Sequence, residues 1–106
     1  SGAKMAGVNL ASTNLRGANL TDADLNSADF VLSTFVGADL ANANLTRARL
    51  LRTNMAFVNL SYSILTNTDF KSANLSGATL LGAFGANLEN AYALKGTTMP
   101  DGTIHG

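Results

Sequence analysis

At 106 residues the chain has the length of one domain, and its seven basic residues cancel its seven acidic ones at a charged fraction of only 13%. This excludes the basic footprint of a nucleic-acid binder, and the absence of cysteine excludes a disulfide framework or a thiolate metal site while leaving the redox compartment open. No apolar run approaches the roughly 18 residues of a membrane span and no signal-peptide pattern opens the chain, so a soluble protein without a membrane partner is expected, with cytoplasm, periplasm and thylakoid lumen all compatible.

Ser1-Gly2 carries no pattern and reads as the remnant of a removed tag. From Ala3-Lys4-Met5 onward a large apolar residue returns every fifth position without a gap: Met5, Leu10, Leu15, Leu20, Leu25, Phe30, Phe35, Leu40 and so on to Leu80. Over these sixteen units the residue two before the large one is Ala nine times, Val twice, and Ser or Thr five times. The residue between is Asn or Asp in eleven of the sixteen. A helix advances about 500° in five residues, which scatters the large residues around its surface. A continuous strand sends them to alternate faces. Both failures are avoided if small and large residues point inward, the residue between points outward, and the chain turns after each unit.

The units Gly17-Ala18-Asn19-Leu20-Thr21, Asp22-Ala23-Asp24-Leu25-Asn26 and Gly37-Ala38-Asp39-Leu40-Ala41 spell A(D/N)LXX, and on them the chain resembles the pentapeptide repeat family. The resemblance implies an all-β fold, a right-handed four-sided parallel β-helix with one pentapeptide per side. It would have about four regular coils and an irregular C-terminal one. The repeat domain is expected over 3–99 and a terminating tail over 100–106. The abrupt start at Ala3 reads as either a fragment lacking N-terminal sequence or an end covered by another subunit.

With four units per coil, residues twenty apart stack. The core columns then include Leu10, Phe30, Leu50 and Phe70, beside Phe35 and Met55, and the narrow interior leaves no room for a Leu at Ala38 or Ala43. Outside, Arg49 is expected between the carboxylates of Asp29 and Asp69 as a structural ladder, with Arg47 and Arg52 completing a solvated basic cluster. Apolar residues at outward positions are the exceptions: Val31, Leu32, Val36, Leu51, Phe57, Tyr62, Ile64 and Leu81. Val31, Leu32, Val36, Leu51 and Phe57 are expected to gather into one exposed patch that contacts a partner.

After Leu80 the spacing breaks, and Phe84-Gly85 reads as a bulge or small loop before Ala86-Asn87-Leu88 resumes the pattern. Pro100-Asp101-Gly102 is turn chemistry that stops the coil. The following Thr103-Ile104-His105 completes a tail resembling that of cyanobacterial members of the family.

Candidate chemistry is sparse. The single histidine, His105, sits next to the terminus, and Asp22, Asp24 and Asp29 recur because the repeat takes a polar residue there, so no catalytic, metal or cofactor site is expected. Asn19-Leu20-Thr21 and its equivalents match the glycosylation sequon only because the repeat generates it. The expected function is a non-enzymatic structural or interaction module presenting a rigid surface to a protein partner, with self-association through the uncapped end or the patch as a further expectation. The alternative implied by the resemblance is a DNA-mimicking binder of DNA gyrase or another type II topoisomerase. That role calls for a strongly negative rod, from which this net-neutral chain departs.

Overall fold

Each pentapeptide builds one corner. The computed structural model describes residues 2–92 and 94–104. In a typical unit the N–H of the small residue donates to the C=O of the large residue three before it, as from Ala18 to Leu15 (3.0 Å) and from Ala38 to Phe35 (2.8 Å). The residue just before the small one has positive φ at every corner from Gly7 to Gly82, the signature of a type II turn. Glycine takes only some of these places. Among the described residues eleven non-glycine residues hold the left-handed conformation with φ between 55° and 64°.

The Asn or Asp of each unit has a specific task. Its Oδ1 accepts the N–H of the residue two ahead, the first residue of the turn, at 3.0–3.2 Å in all eleven units that carry one. That N–H faces away from the coil and has no backbone acceptor, so a short side-chain amide or carboxylate satisfies it locally.

Corners repeated every five residues let the chain close on itself after four. Parallel bridges join Lys4 to Asp24, Asn9 to Asp29, and so on at twenty-residue steps to Ile64 and Phe84, so each coil has four corners and each side pairs through a single residue instead of a continuous strand. The N–H of every large residue from Met5 to Leu65 donates to a carbonyl one coil ahead, from Met5 to Asp24 (2.8 Å) through Leu65 to Phe84 (2.7 Å). The molecule has extents of 33 × 24 × 22 Å.

The interior contains what the columns predict. Phe30, Leu50, Phe70, Phe35 and Met55 are buried with Leu25, Leu40, Leu45, Leu60 and the Ala rows, and the rings of Phe30 and Phe35 meet edge to face at 4.9 Å between centroids. Leu10 differs. With Met5 and Leu15 it lies in the first coil, covered from one side only, and is half-buried. Polar residues in the small row bring their own partners: the hydroxyls of Ser33, Thr53, Ser63, Thr68 and Thr97 each donate to a backbone carbonyl at 2.5–2.7 Å. Among the described residues no buried side-chain polar atom is left unpaired.

The C-terminal coil corrects the expected break at Leu80. Ala83-Phe84 keeps the register, with Phe84 donating to Ser63 C=O (2.9 Å) and accepting from Leu65, and it is Gly85, φ +78°, that stands where a Leu belongs. Phe84 therefore sits in the ladder with its side chain outside, 70% exposed. The register slips only afterwards, so that Thr79 pairs with Thr98, one residue short of the regular step. The chain then turns through Met99–Gly102 and runs back antiparallel, Ile104 against Thr98. The hydroxyl (2.6 Å) and N–H (3.0 Å) of Thr103 donate to Asp101 and hold its carboxyl below the usual carboxylate range. His105 lies outside the described residues.

Candidate functional site: the outer faces

Because every inward position is filled by core, whatever this chain does it does with its outer residues. The two turn residues of each corner stack in columns, which brings Val31 beside Leu51 and Lys71, and Leu32 beside Arg52. These five line a shallow groove of about 180 Å³. Val31 and Leu51 form its half-buried floor, while Leu32 stands 57% exposed at its edge.

Three of the five predicted patch residues thus converge and two do not. Val36 and Phe57 belong to the next corner. There Val36 is half-buried, and Phe57, 69% exposed, lays its ring over Gly77 of the following coil. A Cβ on Gly77 would come within 2.6 Å of the Phe57 ring. Tyr62 covers Gly82 at the corner after that in the same way.

A second apolar strip escapes the sequence reading because it depends on the preserved register. Ile64 and Phe84 are bridged neighbours on one side, in the column where Asn or Asp usually stands, with Tyr62 and Leu81 at the adjoining corner; all four are exposed. Tyr62, Ile64 and Leu81 are already marked in the sequence as outward apolar residues; only Phe84, read there as part of a bulge, is missing from the strip.

The charges are banded along the axis. Asp22, Asp24, Asp29 and Asp39 all fall within residues 21–40, and Arg47, Arg49 and Arg52 within 41–60, with no opposite charge inside either stretch. The expected ladder is half formed. Arg49 Nη1 reaches Asp29 Oδ2 at 3.3 Å, whereas among the described residues it makes no ion pair with Asp69, so Arg49 is paired on one side only. Arg49 is itself more than half exposed, so the pair adds little to stability. Among the described residues no group of His, Cys, Asp and Glu could hold a metal ion, and no helix is long and apolar enough to cross a membrane.

Solved structures place this architecture. The chain is similar to the pentapeptide repeat protein Rfr23 from the cyanobacterium Cyanothece 51142 (27% identity, TM-score 0.68, 91% of this chain and 87% of that one). It is also similar to alr5209, a pentapeptide repeat protein from Nostoc PCC 7120 (24% identity, TM-score 0.78, 88% and 80% covered). A pentapeptide repeat protein of the Arabidopsis thaliana thylakoid lumen shares the fold at 20% identity (TM-score 0.58, 99% and 70% covered). A comparison with curated proteins finds no match. The family model for pentapeptide repeats matches in eight copies over residues 1–30, 33–71 and 53–90. The five-residue corner, the twenty-residue step and that match agree: this chain belongs to the pentapeptide repeat family.

Proposed function

We propose that this chain is a non-enzymatic interaction module that offers the Val31-Leu32-Leu51 groove, rimmed by Arg52 and Lys71, to a protein partner with apolar and acidic side chains. The right-handed coil of the family is part of this reading. The observation that carries it is where the bulky residues sit. Leu32 and Phe57, like Tyr62, occupy corner positions with φ near +60° while more than half exposed. A large L side chain there costs on the order of 1–2 kcal/mol in backbone strain and recovers little by burial. Gly, Ser, Asn or Asp fills the same position at most other corners, with Arg at 47 and 52, so stability does not account for an apolar side chain there. Contact with a partner does.

The basic rim sets the sign of the partner. A DNA-mimicking inhibitor of a type II topoisomerase needs a surface of the opposite charge, and the net charge of zero weighs against that alternative.

The test compares capture from an extract of the source organism by the wild-type chain and by Leu32→Asp and Leu51→Asp, each checked for equal melting. Asp tolerates the left-handed corner at 32, so that variant is expected to fold. A protein retained by wild type and lost with both variants supports the reading. The same protein retained by both variants moves the contact away from this groove, and inhibition of supercoiling by the wild-type chain at micromolar concentration would favour the topoisomerase alternative.

A further inference from the structure

The ladder that runs unbroken from Met5 to Leu65 fails at the next step. In the regular coils each large residue donates its N–H one coil ahead, and the residue it reaches donates back to the carbonyl of the small residue, as Leu65 and Ser63 do with Phe84. At Phe70 neither half of this exchange is made. Among the described residues the N–H groups of Asn67 and Phe70 and the C=O of Thr68 have no partner, although Phe70 is 2% and Thr68 5% exposed. The cause is the slipped register. Segment 86–90 makes no ladder bond to residues 67–70, although its own corner is regular, with Glu89 N–H on Asn87 Oδ1 as in the other Asn/Asp units, and pairing resumes only with Ser72 to Asn90 (2.8 Å). A cleft of about 330 Å³ opens between the edge Asn67–Lys71 and a roof of Gly85, Asn87 and Asn90.

Backbone groups that lose their ladder partners are left to find others, and the geometry here specifies what would pair them. From the pattern repeated in the preceding coils, the missing complement is one extended residue whose N–H meets Thr68 C=O and whose C=O meets Phe70 N–H. We infer that this cleft binds an extended peptide segment of a partner protein, added as one further parallel step of the coil. This is strand addition reduced to a single bridging residue, with the main chain supplying affinity and the cleft walls selecting the side chain. Asp69, Lys71 and the two roof asparagines surround the position with polar groups of both signs, which suits a polar or zwitterionic segment. The site is separate from the apolar groove, although Lys71 borders both.

The probe is N-acetyl-alanine N-methylamide, a single residue with the required N–H and C=O, titrated into ¹⁵N-labelled protein. For about ten heavy atoms, binding in the millimolar range is expected. Saturable shifts should cluster at Asn67, Phe70, Lys71, Gly85, Asn87 and Asn90, with the Phe70 amide moving downfield as it gains an acceptor. The analogue with an ester oxygen in place of the alanine N–H cannot donate to Thr68 and should bind about tenfold more weakly. Asn87→Trp, a change in the exposed roof that leaves the core untouched, should fill the cleft and weaken the probe at least about tenfold. The Leu51→Asp variant should bind the probe like wild type, which separates this site from the groove. No saturable shift up to about 100 mM, equal binding of amide and ester, or shifts spread evenly over the coil would each overturn the inference. Shifts at these residues on concentrating the protein alone would overturn it as well, in favour of a second copy.

Discussion

The corner residue decides what each pentapeptide costs. Arg47 is exposed and held at φ +60°, where Asn is tolerated far better than a long side chain. Arg47→Asn is therefore expected to raise stability by about 0.5–1 kcal/mol, read as a higher denaturant midpoint at constant slope. At Leu32 the same relief is offset by lost contact with Val31 and Leu51, so Leu32→Asn should change stability by less than about 0.5 kcal/mol while removing the edge of the groove. The two variants together separate strain from binding. The Asn or Asp of each unit acts in the opposite sense. Asn54 accepts the N–H of Ala56 at 3.2 Å, and Asn54→Ala should cost about 0.5–1.5 kcal/mol, since nothing else in the corner can take that N–H. An unchanged midpoint would mean that water replaces the side chain without loss.

At the scale of the coil, the interior leaves no slack. Ala38 is 1% exposed in a row of small residues, and Ala38→Leu is expected to cost about 1–3 kcal/mol by forcing the sides apart, measurable as a lowered melting temperature. This much was legible in the sequence, because a five-residue period with a small residue two before a large one admits few other arrangements. The columns through Phe30, Leu50 and Phe70 followed from the twenty-residue step that the family resemblance supplied. What the period could not carry was backbone detail. It showed Asn and Asp recurring without showing that each bonds two residues ahead, and it read the lost Leu at Gly85 as a lost register although Phe84 still pairs with Ile64. Side-chain spacing reports register only while the side chains are regular, whereas the backbone ladder continues past a glycine. The groove was half legible for a similar reason. Stacking Val31 on Leu51 and setting Val36 and Phe57 around the adjoining corner need only the twenty-residue step, but placing Leu32 with Val31 and Leu51 and not at that adjoining corner needs the turn geometry.

At the scale of the molecule, a solenoid is stabilised by what each coil gains from the coil on either side, so stability should vary along the axis and not hold as one value. The coils containing Leu45 and Leu50 are covered on both sides, whereas Met5 and Leu10 lie in a half-buried first coil and Leu88 and Leu94 in the slipped last one. Native-state hydrogen exchange should follow this order. The amides of Leu45 and Leu50, bonded to Ile64 and Asp69, should be slowest, and those of Met5 and Leu10 should exchange at least about tenfold faster despite equally short bonds of 2.7–2.8 Å. Phe70 is the decisive probe. Its side chain is buried as deeply as the central core, yet its N–H has no partner in the protein, so it should exchange far faster than Leu65, one unit before it. Equal protection at all these positions would mean that the coil opens only as one cooperative unit. Protection at Phe70 matching Leu65 would mean that segment 86–90 closes onto the edge in solution, and the cleft would then be absent.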